Sequence, residues 1–364
     1  MTSARLVFLA CTLSALPALA QPTYSKEVSR IFQAKCQQCH RDNDIAPFAL
    51  KDYETASMWA DDIKRVIKDR IMPPWKPVAG YGEFRDAFGL TDEERQTIID
   101  WVEAGAPQGD ASEMPEALPD RGEWGLGDPD VVLSMQQEFT PPRGSDVYRC
   151  FVMPETFDGA RYISAFDVVP GDRKLVHHVL LFADTKNEAA KLDGQDGQPG
   201  WNCFGGPGVT LTLNSVLGGW APGQRPHHLP EGIGIEWPKG ARVIMQVHYF
   251  PRGRTAPDKT RVGVYFSKAD IQQRLFNVPV LNTSFKIPAN AEKHDVTAVF
   301  PVLPFMDGKV ISVYPHMHLL GRQIKVETTD IQKRVRPMIY IDDWDFNWQG
   351  PYTFTEPLTI KTGS

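Results

Sequence analysis

Two groups of residues in this sequence have the types and spacing to do metal chemistry. The first is Cys36-Gln37-Gln38-Cys39-His40. Two thiols so spaced can add to the vinyl groups of a haem, and the adjacent His can supply an axial nitrogen to its iron. A thioredoxin-like redox pair would need a βαβ setting that this stretch lacks, and half of a zinc site would need a second half. The pattern predicts haem c held by Cys36, Cys39 and His40. No other His precedes His177, so methionine is the donor left for the opposite axial position. Met72, in Ile71-Met72-Pro73-Pro74-Trp75, follows a predicted helix in a proline-stiffened stretch and is the expected ligand; Met58 falls on an amphipathic helix, where core packing is the simpler role. A Met/His pair raises the potential and suits electron transfer rather than oxygen activation.

The second group lies further on. Eight of the nine histidines come after residue 176, and five form a pattern: His177-His178, His248, and His316-Met317-His318. On a strand, residues two apart share a face, so His316 and His318 can chelate one ion while Met317 points away. Adjacent residues face opposite sides, so His177 and His178 can share a metal only at a strand end or a distortion. Imidazole-rich sites without carboxylates suit copper, zinc or nickel, and an oxidising compartment favours copper. Each His taken singly is a polar residue on a half-buried strand; two clustered pairs in strand contexts argue for ligands. His227, His228 and His294 sit in loop-like or charged surroundings and are assigned no role.

The elements that must position these groups differ in kind. From 24 to 109 the pattern is helical, with Ala56 to Ile71 placing Ile63, Val66 and Ile67 on one face, and Thr91 to Glu103 opening on a capping box with Glu94. Gly105 and Pro107 stop the latter helix. Residues 110–130 are rich in Pro, Gly, Glu and Asp, as in a flexible linker. Beyond it come short β-branched and aromatic runs at 147–152, 162–168, 176–182, 242–250 and 262–266, separated by Pro and Gly. A further set follows at 296–302, 309–314 and 338–341. Such spacing without long helices predicts antiparallel sandwiches or barrels rather than an α/β sheet, at 131–268 and 269–364. The fold class expected is an all-α haem domain followed by two all-β sandwiches, the second incomplete.

Residues 1–20 read as a cleavable secretory signal: Arg5, an apolar run from Leu6 to Ala18, then Ala18-Leu19-Ala20. The apolar stretch ahead of Cys11 is too short for a lipidation signal. Export to a periplasm or beyond is expected, where disulfides persist. No later run is long enough to span a membrane. The formal net charge of −6 over 364 residues, with no basic run, argues against a nucleic-acid partner.

Two resemblances sharpen these expectations. Residues 25–107 resemble small cytochrome c domains, through Ala46-Pro47-Phe48, Met72 to Trp75, and Trp101 to Pro107. From about Asp128 onward the chain resembles the copper type II, ascorbate-dependent monooxygenase family, which includes peptide α-hydroxylating and dopamine β-hydroxylating enzymes. The matching landmarks are His177 to Phe182, Val247-His248-Tyr249, and His316 to Arg322. The resemblance implies two jelly-roll-like domains, an electron-donating copper on His177, His178 and His248, and a catalytic, oxygen-activating copper on His316 and His318. It also implies a disulfide between Cys150 and Cys203. O2 and a small-molecule or protein substrate would be the partners, together with an electron-donor protein. Two departures stand out. The family's methionine ligand follows the His-x-His pair by some tens of residues, whereas Met338 comes too soon; either the chain is a fragment or the site is incomplete. Tyr314 stands where peptide-hydroxylating relatives carry a substrate-gripping Arg, which argues against a peptide carboxylate. The rival expectation is a non-catalytic electron-transfer or copper-binding protein.

Overall fold

The computed structural model describes residues 21–364 apart from 43, 120, 121, 252, 303, 305 and 306. The expected signal, 1–20, lies outside the described residues.

A turn of π-helix at Tyr24–Val28 leads into α1 (Ser29–Lys35), followed by α2 (Tyr53–Met58), α3 (Ala60–Lys68) and α4 (Asp92–Glu103). Thr91 and Glu94 close the expected capping box at the start of α4, satisfying backbone N–H groups the helix cannot. The single helix expected over 56–71 is instead broken at Trp59, whose backbone (φ −100, ψ 11) leaves the helical region. The break turns Ala56, Ile63 and Ile67 onto Tyr24, Phe32, Ile98 and Trp101, the core of this unit. Met58, expected to pack, is 79% exposed.

Ten strands make a sandwich: β1 (Val131–Ser134), β2 (Val147–Val152), β3 (Arg161–Val169), β4 (Val176–Asp184), β5 (Trp201–Asn202), β6 (Val216–Trp220), β7 (Ile233–Trp237), β8 (Arg242–Tyr249), β9 (Arg261–Phe266) and β10 (Gln273–Arg274). One sheet has the order β1-β9-β3-β7-β10 and the other β5-β2-β8-β4-β6. All pairings are antiparallel except that of β10 with β7. Leu133, Phe151, Val179, Leu181, Trp237, Val247 and Tyr249 fill the space between the sheets. Each such side chain contributes about 1.5–3 kcal/mol by leaving water. The opposite face of β2, β8 and β4 is covered too: Cys150, Phe182, Trp201, Cys203 and Ile244 form a second apolar cluster, within which Cys150 and Cys203 are joined as a disulfide.

The C-terminal region departs from the expected sandwich. β11 (Gly308–Val313), β12 (Ile324–Thr329), β13 (Val335–Ile341) and β14 (Tyr352–Ile360) form two two-stranded sheets, β11-β14 and β12-β13. Residues 296–302, expected as a strand, form no ladder with any described residue, and Val299 is 83% exposed. β propensity alone does not make a strand; the ladder needs a partner for its N–H and C=O groups. The small core of Met338, Ile339, Ile341, Trp344, Tyr352 and Phe354 is completed from far upstream by Trp75 and Phe84. Pro77 bridges to Ile341, Phe84 bridges to Phe354, and Lys76 pairs with Asp343 at 2.7 Å.

Segment 110–130, expected as a flexible tether, is pinned at both ends. Gln33 Nε2 donates to the Glu116 carbonyl at 2.9 Å on the helical side. On the other side Gly125 N–H donates to Asp167 at 2.6 Å, and Tyr265 O–H donates to the Gly127 carbonyl at 2.7 Å. Among the described residues no helix is long and apolar enough to cross a membrane.

Candidate metal centre

β4 and β8 bring three histidines to one point. The ladder pairs Val176 with Tyr249 and then His178 with His248, leaving His177 as an extra residue. That β-bulge is the distortion adjacent ligands need: it rotates His177 so that neighbouring side chains share one side. The Nδ1 atoms of the three rings lie 3.2 Å (His177 to His178), 3.1 Å (His177 to His248) and 3.4 Å (His178 to His248) apart. Bonds of about 2.0 Å at near-tetrahedral angles require ligand spacings of about 3.3 Å. The triangle fits a metal ion with one position left over.

The outer ring nitrogens explain why Nδ1 points inward. His177 Nε2 lies 2.8 Å from the Asn347 carbonyl, and His248 Nε2 lies 3.2 Å from Asp146 Oδ2. Both partners accept only, so each Nε2 carries the proton and each Nδ1 presents a lone pair. Burial pushes the His248 pKa down to about 3, helped by the His177 charge. Burial likewise depresses His178 well below the ordinary value, with smaller contributions from His248, His177 and His316. Neutral imidazoles are the form that binds metal. Tyr148, opposite His248 on β2, stacks on its ring at 4.1 Å and an interplanar angle of 6°. Burial first, and the Asp146 charge second, push the Tyr148 pKa up to about 12, keeping it a neutral wall.

His316 and His318 stand in the loop after β11, not on a strand. Their rings are 5.1 Å apart and nearly perpendicular. His316 Nδ1 lies 2.6 Å from Gln349 Oε1, and Gln349 Nε2 donates to the Phe346 carbonyl at 2.8 Å. That second bond fixes the amide with its oxygen toward His316, so Nδ1 donates and Nε2 is left for a ligand. Met317 packs against the C-terminal core, although the pair is not on the strand whose two-residue period would turn it away. Met338 is buried in the same core and 7% exposed. Among the described residues no other set of three His, Cys, Asp or Glu side chains gathers as the first three histidines do. His178, His316 and His318 border one cleft, where the Phe204 ring lies 5.1 Å from Tyr148 and 6.4 Å from His318.

In the helical unit, Cys36, Cys39 and His40 follow α1 directly. His40 Nδ1 lies 3.0 Å from the Phe48 carbonyl, which makes Nδ1 the donor and leaves the Nε2 lone pair able to bind a metal. The Phe48 ring is 5.0 Å from His40, and Trp59 stacks on Phe48 at 4.5 Å while remaining 36% exposed. An open apolar wall beside an oriented imidazole fits a large flat prosthetic group. Burial, then the charge of Cys39, pushes the Cys36 thiol up to about 12. Met72 is half-buried after α3, its N–H donating to the Val66 carbonyl at 3.2 Å.

Of the histidines assigned no role, His227 pairs with Asp86, His228 meets Ser164 Oγ at 2.9 Å, and His294 is exposed. Asp146, Tyr148, Asn347 and Gln349 were not anticipated. Asp146, Asn347 and Gln349 hydrogen-bond to ligand candidates and Tyr148 stacks on one, and the strand pairing that brings Tyr148 to His248 is the one feature that could have marked any of them.

The described fold is a β-sandwich carrying three histidines placed to hold one metal ion. Residues 132–254 match the copper type II ascorbate-dependent monooxygenase N-terminal domain. DBH-like monooxygenase protein 1 of Homo sapiens is 23% identical over 253 residues, 63% of this chain and 40% of that protein. Peptidyl-glycine alpha-amidating monooxygenases A and B of Xenopus laevis are each 29% identical, over 126 and 127 residues, 34% of this chain and 12% and 13% of those proteins. The chain spans less than half the length of these relatives.

Proposed function

We propose that this chain is an exported monooxygenase that uses haem c and two coppers to hydroxylate a C–H bond with O2. The convergence of the His177, His178 and His248 Nδ1 atoms carries the reading. Copper held there and by His316 and His318 would supply one-electron redox chemistry and activation of O2. Haem attached at Cys36 and Cys39, with His40 and Met72 as axial ligands, would supply electrons singly.

The chain's own residues do the positioning. Asp146 and the Asn347 carbonyl hold two rings with Nδ1 inward, and Gln349 holds His316 with Nε2 outward. Tyr148 closes one side of the first site against water. The cleft between the two histidine groups would receive the substrate, a small molecule or a protein side chain. Residues 1–20 would direct export to a periplasm or beyond, and a separate protein would deliver electrons to the haem.

The test is to express the full chain with haem maturation, load it with copper, and follow O2 uptake by the reduced form. Two coppers per chain, with O2-dependent haem oxidation lost in His316→Ala and His318→Ala, is the expected result. One copper, with haem oxidation indifferent to those substitutions, would support a second reading, a non-catalytic electron-transfer or copper-binding protein. The observation favouring that alternative is that His316 and His318 are exposed and gather no third His, Cys, Asp or Glu among the described residues.

A further inference from the structure

The helical unit does not merely precede the sandwich; its Cys-x-x-Cys-His loop lies against it. The loop following β6 places Gly223 in left-handed backbone (φ 82), where a Cβ would stand 3.0 Å from Cys39 Sγ. A side chain there would crowd the sulfur, so glycine lets Cys39 rest on the loop backbone. Two bonds brace this turn: Gln224 N–H to the Ala221 carbonyl at 3.1 Å, and Ala221 N–H to Gln224 Oε1 at 3.2 Å. Charge lines the same seam. Asp44, four residues after His40, faces Arg173 at the turn before β4 at 3.8 Å, and Arg41 bonds to the Gln38 carbonyl at 3.2 Å.

The other end of this loop reaches the three-histidine site. Trp220, the last residue of β6, pairs directly with Val179 on β4, the neighbour of His178. Cys39 and His178 are thereby joined by one non-bonded contact, the backbone from Gly223 to Trp220, and one interstrand pairing. Electron tunnelling falls off steeply across gaps in space and less steeply along bonded paths, so a route whose only non-covalent steps are one close contact and one strand pairing is favoured.

We propose that loop 221–226 is the port through which single electrons pass from a haem attached at Cys39 into the three-histidine site. The inference rests on the reading above, that Cys36, Cys39 and His40 carry haem c and that His177, His178 and His248 hold copper. In the step, ferrous haem gives up one electron and becomes ferric, and cupric copper takes it and becomes cuprous. No covalent bond forms or breaks. Gly223 and the Asp44–Arg173 contact are positioning elements, holding donor and acceptor units at one separation.

The experiment uses the full chain, haem-matured and loaded with cupric copper, without O2. The haem is photoreduced in a flash and the decay of its ferrous absorption is followed. The expected parent decay is first order, with a rate independent of protein concentration, because the two units are docked within one chain. Two variants disturb the seam. Gly223→Asn keeps a residue that tolerates positive φ but sets a side chain against Cys39. Arg173→Glu places a like charge opposite Asp44. If either leaves a tenth of the molecules docked, the decay slows about tenfold. The haem spectrum and the cupric EPR signal should stay those of the parent. Parent-like decay in both variants, or a parent rate that rises with protein concentration, overturns the port. A parent that takes up no haem or no copper overturns the underlying reading together with the inference, and the absorption spectrum and metal count reveal it before any rate is compared.

Discussion

The two histidine groups are built on opposite principles. His177, His178 and His248 stand on paired central strands, are 9%, 8% and 1% exposed, and have two of their outer nitrogens held by acceptors. His316 and His318 stand on a loop and are exposed, and Gln349 orients the His316 ring. A site on a hydrogen-bonded ladder inherits the rigidity of the sheet, so its ligands are set before metal arrives. One on a loop depends on the segment packed beside it, here residues 345–350. Under the proposed function, the difference would suit one metal that only passes electrons and another that must admit O2 and substrate. It also means that the first group answers to the sandwich core, and the second to a small core completed by Trp75 and Phe84.

The comparison can be broken most directly at the ligands. His178→Ala should remove the copper of the strand site, whereas His318→Ala should leave that copper in place, as read by metal analysis of each purified variant. Loss of the strand copper in both would mean that the two groups are not independent. Next in size come changes to the framework. Removing the Cys150–Cys203 link, which spans 53 residues, should cost about 4 kcal/mol through the freed unfolded chain. Leu181→Ala, in the core beneath His178, should cost about 2–5 kcal/mol. Chemical denaturation checks both, and a variant as stable as the parent would show that the sandwich does not depend on that feature.

Smaller effects sharpen the contrast. Asp146→Ala should weaken the strand copper by about 10–100-fold while sparing the fold, measured by copper titration against a competing chelator. The pair of Lys76, largely buried, with the exposed Asp343 beside the C-terminal core should contribute about 0–1 kcal/mol in a double-mutant cycle, because solvent still screens its acidic partner. Smallest is a pH effect on the sandwich. Hydrogen bonds from Arg149 hold the Asp196 carboxyl down to about 2, against an ordinary value of 3.8. A depressed pKa stabilises the fold above the ordinary value and loses that stability as pH falls through about 2. Because Asp196 is 48% exposed, solvent screening keeps the effect modest. Denaturation midpoints taken between pH 5 and pH 2 should therefore fall less in Asp196→Asn than in the parent.

Much of the fold was legible because its signals are local. The β-branched and aromatic runs at 147–152, 176–182 and 242–250 mark strands that form within two residues of those bounds, and Thr91 with Glu94 marks the start of α4. The need for a distortion at His177 and His178 was readable from adjacency alone. Its form, one extra residue opposite Tyr249 and His248, was not, because a bulge is fixed by the partner strand. Asn347 acts through a backbone carbonyl and Gln349 through an amide 33 positions after His316, so neither bears a ligand's signature. Residues 75–84 read as part of a helical unit, yet Trp75 and Phe84 close a core with residues 338–358; nothing local announces so distant a partner. The run at 296–302 has strand-like composition but forms no ladder among the described residues; Val302, at its end, exchanges backbone hydrogen bonds with Gly363 and Ser364.

The central claim is that three Nδ1 atoms, oriented by Asp146 and the Asn347 carbonyl, hold one copper on the strands of the sandwich. Diffraction from copper-loaded crystals, with anomalous maps on either side of the copper absorption edge, tests it most directly. The account predicts a copper peak about 2 Å from Nδ1 of each of His177, His178 and His248. A peak bonded through Nε2 of these rings, or no peak among them while copper occupies other sites, would contradict it.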